Sequence, residues 1–219
     1  MSGVPISPRL LKAGLVLVDP GSSAVNRVIT LQYNPDTLSR TLQTQSFTAG
    51  SEGGNRAEAL RLKGPPVETI KLDAEIDATD QMEAGDGQTA QTGIQAQLAA
   101  LETIVYPASD QLEANNALSR SGALEIVPMQ AALTLFVWSK SRILPVRITD
   151  FSITEEAFDP QLNPIRAKVS LSLRVLSVDD LGFDTRGGSL FMIYQRHKEQ
   201  LAQQNRSGGL SALGLGVLP

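Results

Sequence analysis

The chain has 219 residues, 42% of them hydrophobic and 19% charged, enough for one domain, or one domain with appendages, to bury a sizeable core. Its formal net charge of −4 argues against nucleic acid as the main partner, because neutralising phosphates takes a surplus of Lys and Arg. It contains no cysteine, which excludes disulfides, thiolate metal sites and a Cys nucleophile and is compatible with cytosolic folding. Residues 1–11 hold prolines and polar residues without a long apolar core, so no signal peptide is expected. No apolar run approaches about 18 residues, so no membrane span is expected either.

In chain order, residues 10–18 form a weak strand pattern. Residues 28–33 form a clearer one, with Ile29, Leu31 and Tyr33 set for burial, and 38–47 give a third. A polar, Gly-rich stretch at 48–66 reads as a loop. From 69 to 77 the alternation is unbroken: Ile70, Leu72, Ala74 and Ile76 share one face, and Thr69, Lys71, Asp73, Glu75 and Asp77 the other. Residues 79–93, rich in Gly, Gln and acid, read as a loop. Ile94, Leu98, Leu101 and Val105 then recur at helical spacing; Thr92 and Gln95 resemble a capping box, and Pro107 ends the helix. Residues 108–122 read as a polar loop of weak helical character.

Residues 132–138 are apolar on both faces, as expected where a second layer covers the sheet. Residues 143–154 place Val146 and Ile148 on one parity but Phe151 and Ile153 on the other, which predicts a bulge or bend near Thr149 and Asp150. Residues 165–175 alternate Ile165, Ala167, Val169, Leu171, Leu173 and Val175 with Arg166, Lys168, Ser170, Ser172 and Arg174. A last helix over 189–204 carries a stripe of Leu190, Ile193, Tyr194, His197 and Leu201. The tail from 207 onward is uncharged and Leu- and Gly-rich.

Catalytic constellations are scarce. His197 is the single histidine and falls on an apolar stripe, where a packed side chain is the simpler reading than a base, which would need a nucleophile and an orienting group. The acids Asp73, Glu75, Asp77, Asp80, Glu83 and Asp86 lack the spacing of a calcium loop and read as a solvated strand face followed by an acidic loop. Glu155, Glu156 and Asp159 supply carboxylates of the kind glycosidases use, but with aromatics at 5% of the chain, sugar-stacking platforms are few. Neither nucleotide-binding glycine motif occurs. The residues therefore point to a mainly β, β-rich α+β protein that works by assembly, with no catalytic residue, metal or cofactor expected.

An ordered series of segments sharpens this. Ile29–Leu38 contains Tyr33-Asn34-Pro35-Asp36-Thr37 after a strand; residues 66–77 form a strand ending in Asp77. Residues 128–139 end in Trp138-Ser139, and residues 144–175 hold two strands joined by Leu162-Asn163-Pro164-Ile165-Arg166-Ala167. In this order, over about residues 10–178, they resemble the tube-protein family of contractile injection systems, with Ser139 where glycine is usual. The nearest similarity is to the baseplate adaptor, or tube initiator, whose members often carry a LysM module; that module is not expected here. The resemblance implies a tube-like β-barrel or sandwich over residues 1–180, with a flanking helix, followed by a C-terminal helix and flexible tail over 181–219. It also implies a hexameric ring in contact with inner-tube, spike or hub, and baseplate proteins, with no nucleic acid and no membrane span. Assembly in the cytoplasm, with release of the particle by lysis, goes with it.

The family-motif residues are Tyr33, Asn34, Pro35, Asp77, Trp138, Asn163, Pro164, Arg166 and Ala167. The loop residues Gly50, Glu52, Arg56, Arg61 and Lys63 and the tail residues Leu210 and Leu213 are the expected assembly contacts, and the polar faces of 69–77 and 166–174 are expected to line a lumen or meet solvent. The competing readings are the main inner-tube protein of the same machine and a carbohydrate- or peptidoglycan-binding module.

Overall fold

The computed structural model describes residues 11–45, 62–83, 85, 87–120, 131–205 and 209–217. Seven strands form one antiparallel sheet: β1 (Gly14–Val18), β2 (Val25–Thr30), β3 (Leu38–Gln43), β4 (Val67–Asp77), β5 (Leu133–Ser139), β6 (Arg142–Phe158) and β7 (Pro164–Val175). Their spatial order is β2-β1-β5-β6-β7-β4-β3. The mainly β architecture with flanking helices is the one expected; the sheet is open, with β2 and β3 as its two edges, and not a closed barrel.

Alternation dictates the centre of the sheet. Across the β4–β7 ladder, Ile70 faces Leu173, Leu72 faces Leu171, Ala74 faces Val169 and Ile76 faces Ala167, and all are buried. A fully buried Leu or Ile is worth about 1.5–3 kcal/mol against exposure, so these pairs dominate the stability of the sheet. On β6 the parity switch is a bulge: the register to β7 shifts between Ile148 and Asp150, and Thr149 Oγ1 donates to Ser172 O at 3.1 Å.

The helices are α1 (Thr79–Glu83), α2 (Gly87–Thr92), α3 (Gln95–Glu102), α4 (Ser109–Arg120), α5 (Val178–Leu181) and α6 (Arg186–Gln204), with a 3-10 turn at Leu210–Leu213. Ile94, Leu98 and Leu101 beside α3, and Phe191 and Tyr194 of α6, join the sheet in one hydrophobic core. No helix among the described residues is long and apolar enough to cross a membrane.

Several expectations are corrected. Residues 79–93 hold two short helices, and 109–120 form α4, which buries none of its side chains. Thr92 does not cap α3: it ends α2, Gly93 follows with φ +56°, and Ile94 stands at the N-cap without a side-chain hydrogen bond. α3 also ends at Glu102, short of Pro107. β2 stops at Thr30, so Tyr33 lies beyond it and is 47% exposed.

α6 begins at Arg186, capped by the Thr185 hydroxyl, and seats on Gly187, Gly188, Phe191 and Tyr194. The reason is close approach: a Cβ on Gly188 would stand 1.9 Å from Gly182 O, and one on Gly187 2.4 Å from Leu181. The glycine side therefore faces inward and turns Ile193 and Leu201 outward, 59% and 50% exposed.

Candidate assembly interface

The two Asn-Pro turns work as backbone substitutes. Gln32 Oε1 accepts the Asp77 amide at 2.9 Å, and Gln32 Nε2 donates to Asp77 O at 2.6 Å, as a neighbouring strand would. Two residues on, Asn34 Oδ1 accepts the Ala13 amide at 2.9 Å and Asn34 Nδ2 donates to Leu11 O at 2.8 Å. The stretch from Leu31 to Asn34 thus ties the lead-in of β1 to the far end of β4, two parts of the sheet that do not pair directly. Buried Leu31 anchors it. Pro35 follows this pivot, in which Asn34 holds the lead-in of β1.

At the second turn, Asp159 Oδ1 accepts the amides of Gln161 and Asn163 at 2.8 Å each, and Oδ2 accepts from Asn163 Nδ2 at 2.8 Å. The Asn163 side chain, ahead of these amides, holds the Asp159 carboxyl below its ordinary range. Asn163 Nδ2 also donates to Gln91 O at 3.0 Å, and Pro164 O accepts the Ile94 amide at 2.8 Å. The turn therefore docks on the α2–α3 corner, where Gly93 leaves room: a Cβ there would lie 2.0 Å from Pro164 O.

Asp77 and Arg166 are brought together. They are register partners, with Arg166 Nε 2.8 Å from Asp77 Oδ2, while Asp77 Oδ1 accepts from the Thr79 amide and hydroxyl. The Thr79 hydroxyl, then its amide, then Arg166, hold the Asp77 carboxyl below its usual range. Ala167 is fully buried beside them, and Trp138 packs against the core with its ring 6.0 Å from that of Phe136.

Around the Asp77–Arg166 pair the outward face of β4, β7 and β6 is polar and balanced in charge. Ser170 donates to Asp73 at 2.6 Å, Glu75 stands opposite Lys168, and Lys168 pairs with Glu156 at 2.8 Å. The Glu156 bond holds Lys168 above its ordinary value. These carboxylates are engaged by hydroxyls and cations, and no group of three or more His, Asp or Glu among the described residues is arranged to hold a metal.

Among the described residues, no further strand pairs with either edge of the sheet. Along β2, Val25 and Val28 are 61% and 59% exposed; along β3, Leu42 is 50% exposed. β3 carries a feature absent from the reading of the sequence: Arg40 pairs with Glu68 at 2.7 Å, and Arg40 Nη2 donates to Tyr194 Oη of α6 at 2.9 Å. Glu68 is buried, and Lys198 Nζ sits 4.4 Å from the Tyr194 ring centroid. Burial, with Glu68 second, pushes the Tyr194 hydroxyl up, and burial pulls the Lys198 ammonium down. The signal was present: the alternation of β4, extended one step, puts Glu68 on the core side.

Of the expected contacts, Gly50, Glu52, Arg56 and Arg61 lie outside the described residues. Lys63 is exposed, its amide donating to Gln45 O at 3.4 Å. Leu210 and Leu213 are 38% and 75% exposed on the 3-10 turn. His197 is half-buried beside α6's outer groove. Tyr106, Phe158 and Phe183 are exposed.

No curated protein matches the chain. The sequence pattern described as contractile injection system tube protein matches residues 18–181, from the end of β1 through α5, and takes in both Asn-Pro turns, Asp77 and Arg166. That match spans well over half of the chain, which therefore belongs to the contractile injection system tube protein family.

Proposed function

We propose that this protein forms the adaptor ring that joins the spike to the inner tube and initiates tube growth. Membership of the tube family points to a structural role in a phage-tail-like particle, by assembly with itself and with other tail components and not by catalysis. The observation that carries the finer reading is what lies beyond the matched residues. α6 and the apolar tail follow residue 181, and α6 is packed into the same core as the sheet through Phe191 and Tyr194. A tube subunit extended by a packed helix has additional surface for a different neighbour on one side.

On this reading the ring is hexameric, closed by head-to-tail contacts, and meets inner-tube protein on one side and spike or hub and baseplate proteins on the other. The polar β4–β7 face lines the lumen. The segment 48–66, with Gly50, Glu52, Arg56, Arg61 and Lys63, and the tail, with Leu210 and Leu213, carry ring contacts. The division near residue 180 into tube unit and C-terminal appendage, assembly in the cytoplasm and release by lysis belong to the same proposal.

The second reading is the main inner-tube protein, favoured by the family description itself. Quantitative mass spectrometry of purified particles separates the two. An adaptor stays at one ring's worth of copies in particles of every length, whereas copies rising in proportion to tube length would make it the tube protein.

A further inference from the structure

Two surfaces of the chain are incomplete and complementary. The first is a groove of about 420 Å³ between α6 and the β5–β6 turn. Ile143, Leu190 and Ile193 supply its apolar surface; Lys140, Arg196 and His197 line it too, and no acidic residue does. At 3.6 residues per turn, Arg196 and His197 stand within about 60° of Ile193 round the helix, so basic and apolar groups share one face. Glu199, the acid of α6, lies about 120° round from Ile193 and accepts from Gln195 Nε2 at 3.3 Å.

The second is a groove of about 510 Å³ where the end of α3 meets the middle of β6. The Val105 and Tyr106 amides donate to Glu102 O at 3.0 and 3.2 Å, so a helical turn continues past α3 and sets Glu102, Val105 and Tyr106 on one side. Asp150, Phe151 and Ile153 line the same groove, and no basic residue does. Tyr106 is 70% exposed and Val105 44%, an apolar patch rimmed by carboxylates of the kind that marks a contact with another protein. The ion pairs among the described residues are Arg40–Glu68, Arg166–Asp77, Lys168–Glu156 and Arg174–Asp180, and none of them uses Glu102, Asp150, Lys140 or Arg196.

We propose that the Tyr106 surface of one copy docks in the α6 groove of the next copy. Val105 and Tyr106 pack on Ile143, Leu190 and Ile193, while Glu102 and Asp150 face Lys140 and Arg196. The two surfaces share no residue, so the contact is head-to-tail, the kind from which rings close. The last turn of α6 and the tail stay outside it, open to a neighbour of another kind. The contact rests on the self-assembly that family membership implies and holds for either position of the ring.

Gln200 lines the α6 groove without entering the charge pairs. With Gln200→benzoylphenylalanine, a photoreactive replacement, irradiation of purified particles is expected to give a covalent dimer of this chain with the adduct on residues 102–106 or 148–153. An adduct on another particle protein, or none, would overturn the proposal while leaving the ring's place untouched. Absence of the chain from particles would remove the proposed function as well.

Charge reversal gives the second measurement. Glu102→Lys with Asp150→Lys is expected to lower incorporation about tenfold or more, and adding Lys140→Glu with Arg196→Glu to restore most of it. Loss without rescue, or no loss at all, would contradict the pairing.

Discussion

Asp77 and Arg166 face each other across the β4–β7 ladder, 2.8 Å apart, at the point where β4 ends and Thr79 opens α1. The same Asp77 backbone is gripped by Gln32, so the first motif turn, the end of the long polar strand and the second motif turn converge on one residue. Within the chain, these motif side chains fix the geometry of the two turns and of the β4–β7 ladder.

Replacing Asp77 with Asn should lower stability by about 1 kcal/mol at neutral pH through the loss of charge-assisted hydrogen bonds. Its folded carboxyl titrates below the ordinary value, so its contribution is present above the unfolded pKa of about 3.9 and is lost as pH falls through the folded pKa. Thermal unfolding of both proteins from pH 7 to pH 3 should show the gap narrowing below about pH 4; a constant gap would separate Asp77's role from its charge.

At Asn34, the acceptor and donor can be separated. Asn34→Ala loses both the bond from the Ala13 amide and the one to Leu11 O, whereas Asn34→Asp keeps the first and sets a carboxylate oxygen against Leu11 O. We expect a loss of about 2 kcal/mol for Asn34→Ala by chemical denaturation and a loss at least as large for Asn34→Asp at neutral pH, and an unchanged stability in both variants would refute the backbone-substitute role.

Gly93→Ala combines a left-handed φ with a Cβ 2.0 Å from a backbone carbonyl, and should cost about 2–4 kcal/mol. Gly85→Ala has a similar φ of +75° and open space, so about 1 kcal/mol is expected. Comparable melting temperatures for the two variants would show that the Pro164 turn does not press on Gly93.

Tyr194→Phe removes the hydroxyl that accepts from Arg40 and leaves the ring under Lys198. The expected loss is about 1 kcal/mol, concentrated at the edge: hydrogen exchange should speed up about fivefold in β3 and stay unchanged in β5 and β7. Uniform acceleration would mean that α6 supports the whole sheet and not this edge.

The readability of the chain follows the physics of each element. β4 and β7 were legible because both alternate against one core, and the bulge at Thr149 because a bulge is the one way a strand changes parity while staying paired. α4 was hidden because it buries nothing in its own chain, so no periodicity marks it. The buried side of α6 was misread because glycines, which carry no hydrophobic signal, set the contact. The motif residues were identified by position, but their hydrogen bonds to Leu11, Ala13, Asp77 and Gln91 join residues far apart in the chain, which no local pattern displays.

The most direct test of the adaptor assignment is cryo-electron microscopy of particles purified from the native host, with this chain located in the map. The account predicts one sixfold ring between spike and tube. Copies stacked along the length of the tube, or no copy in any particle, would contradict it.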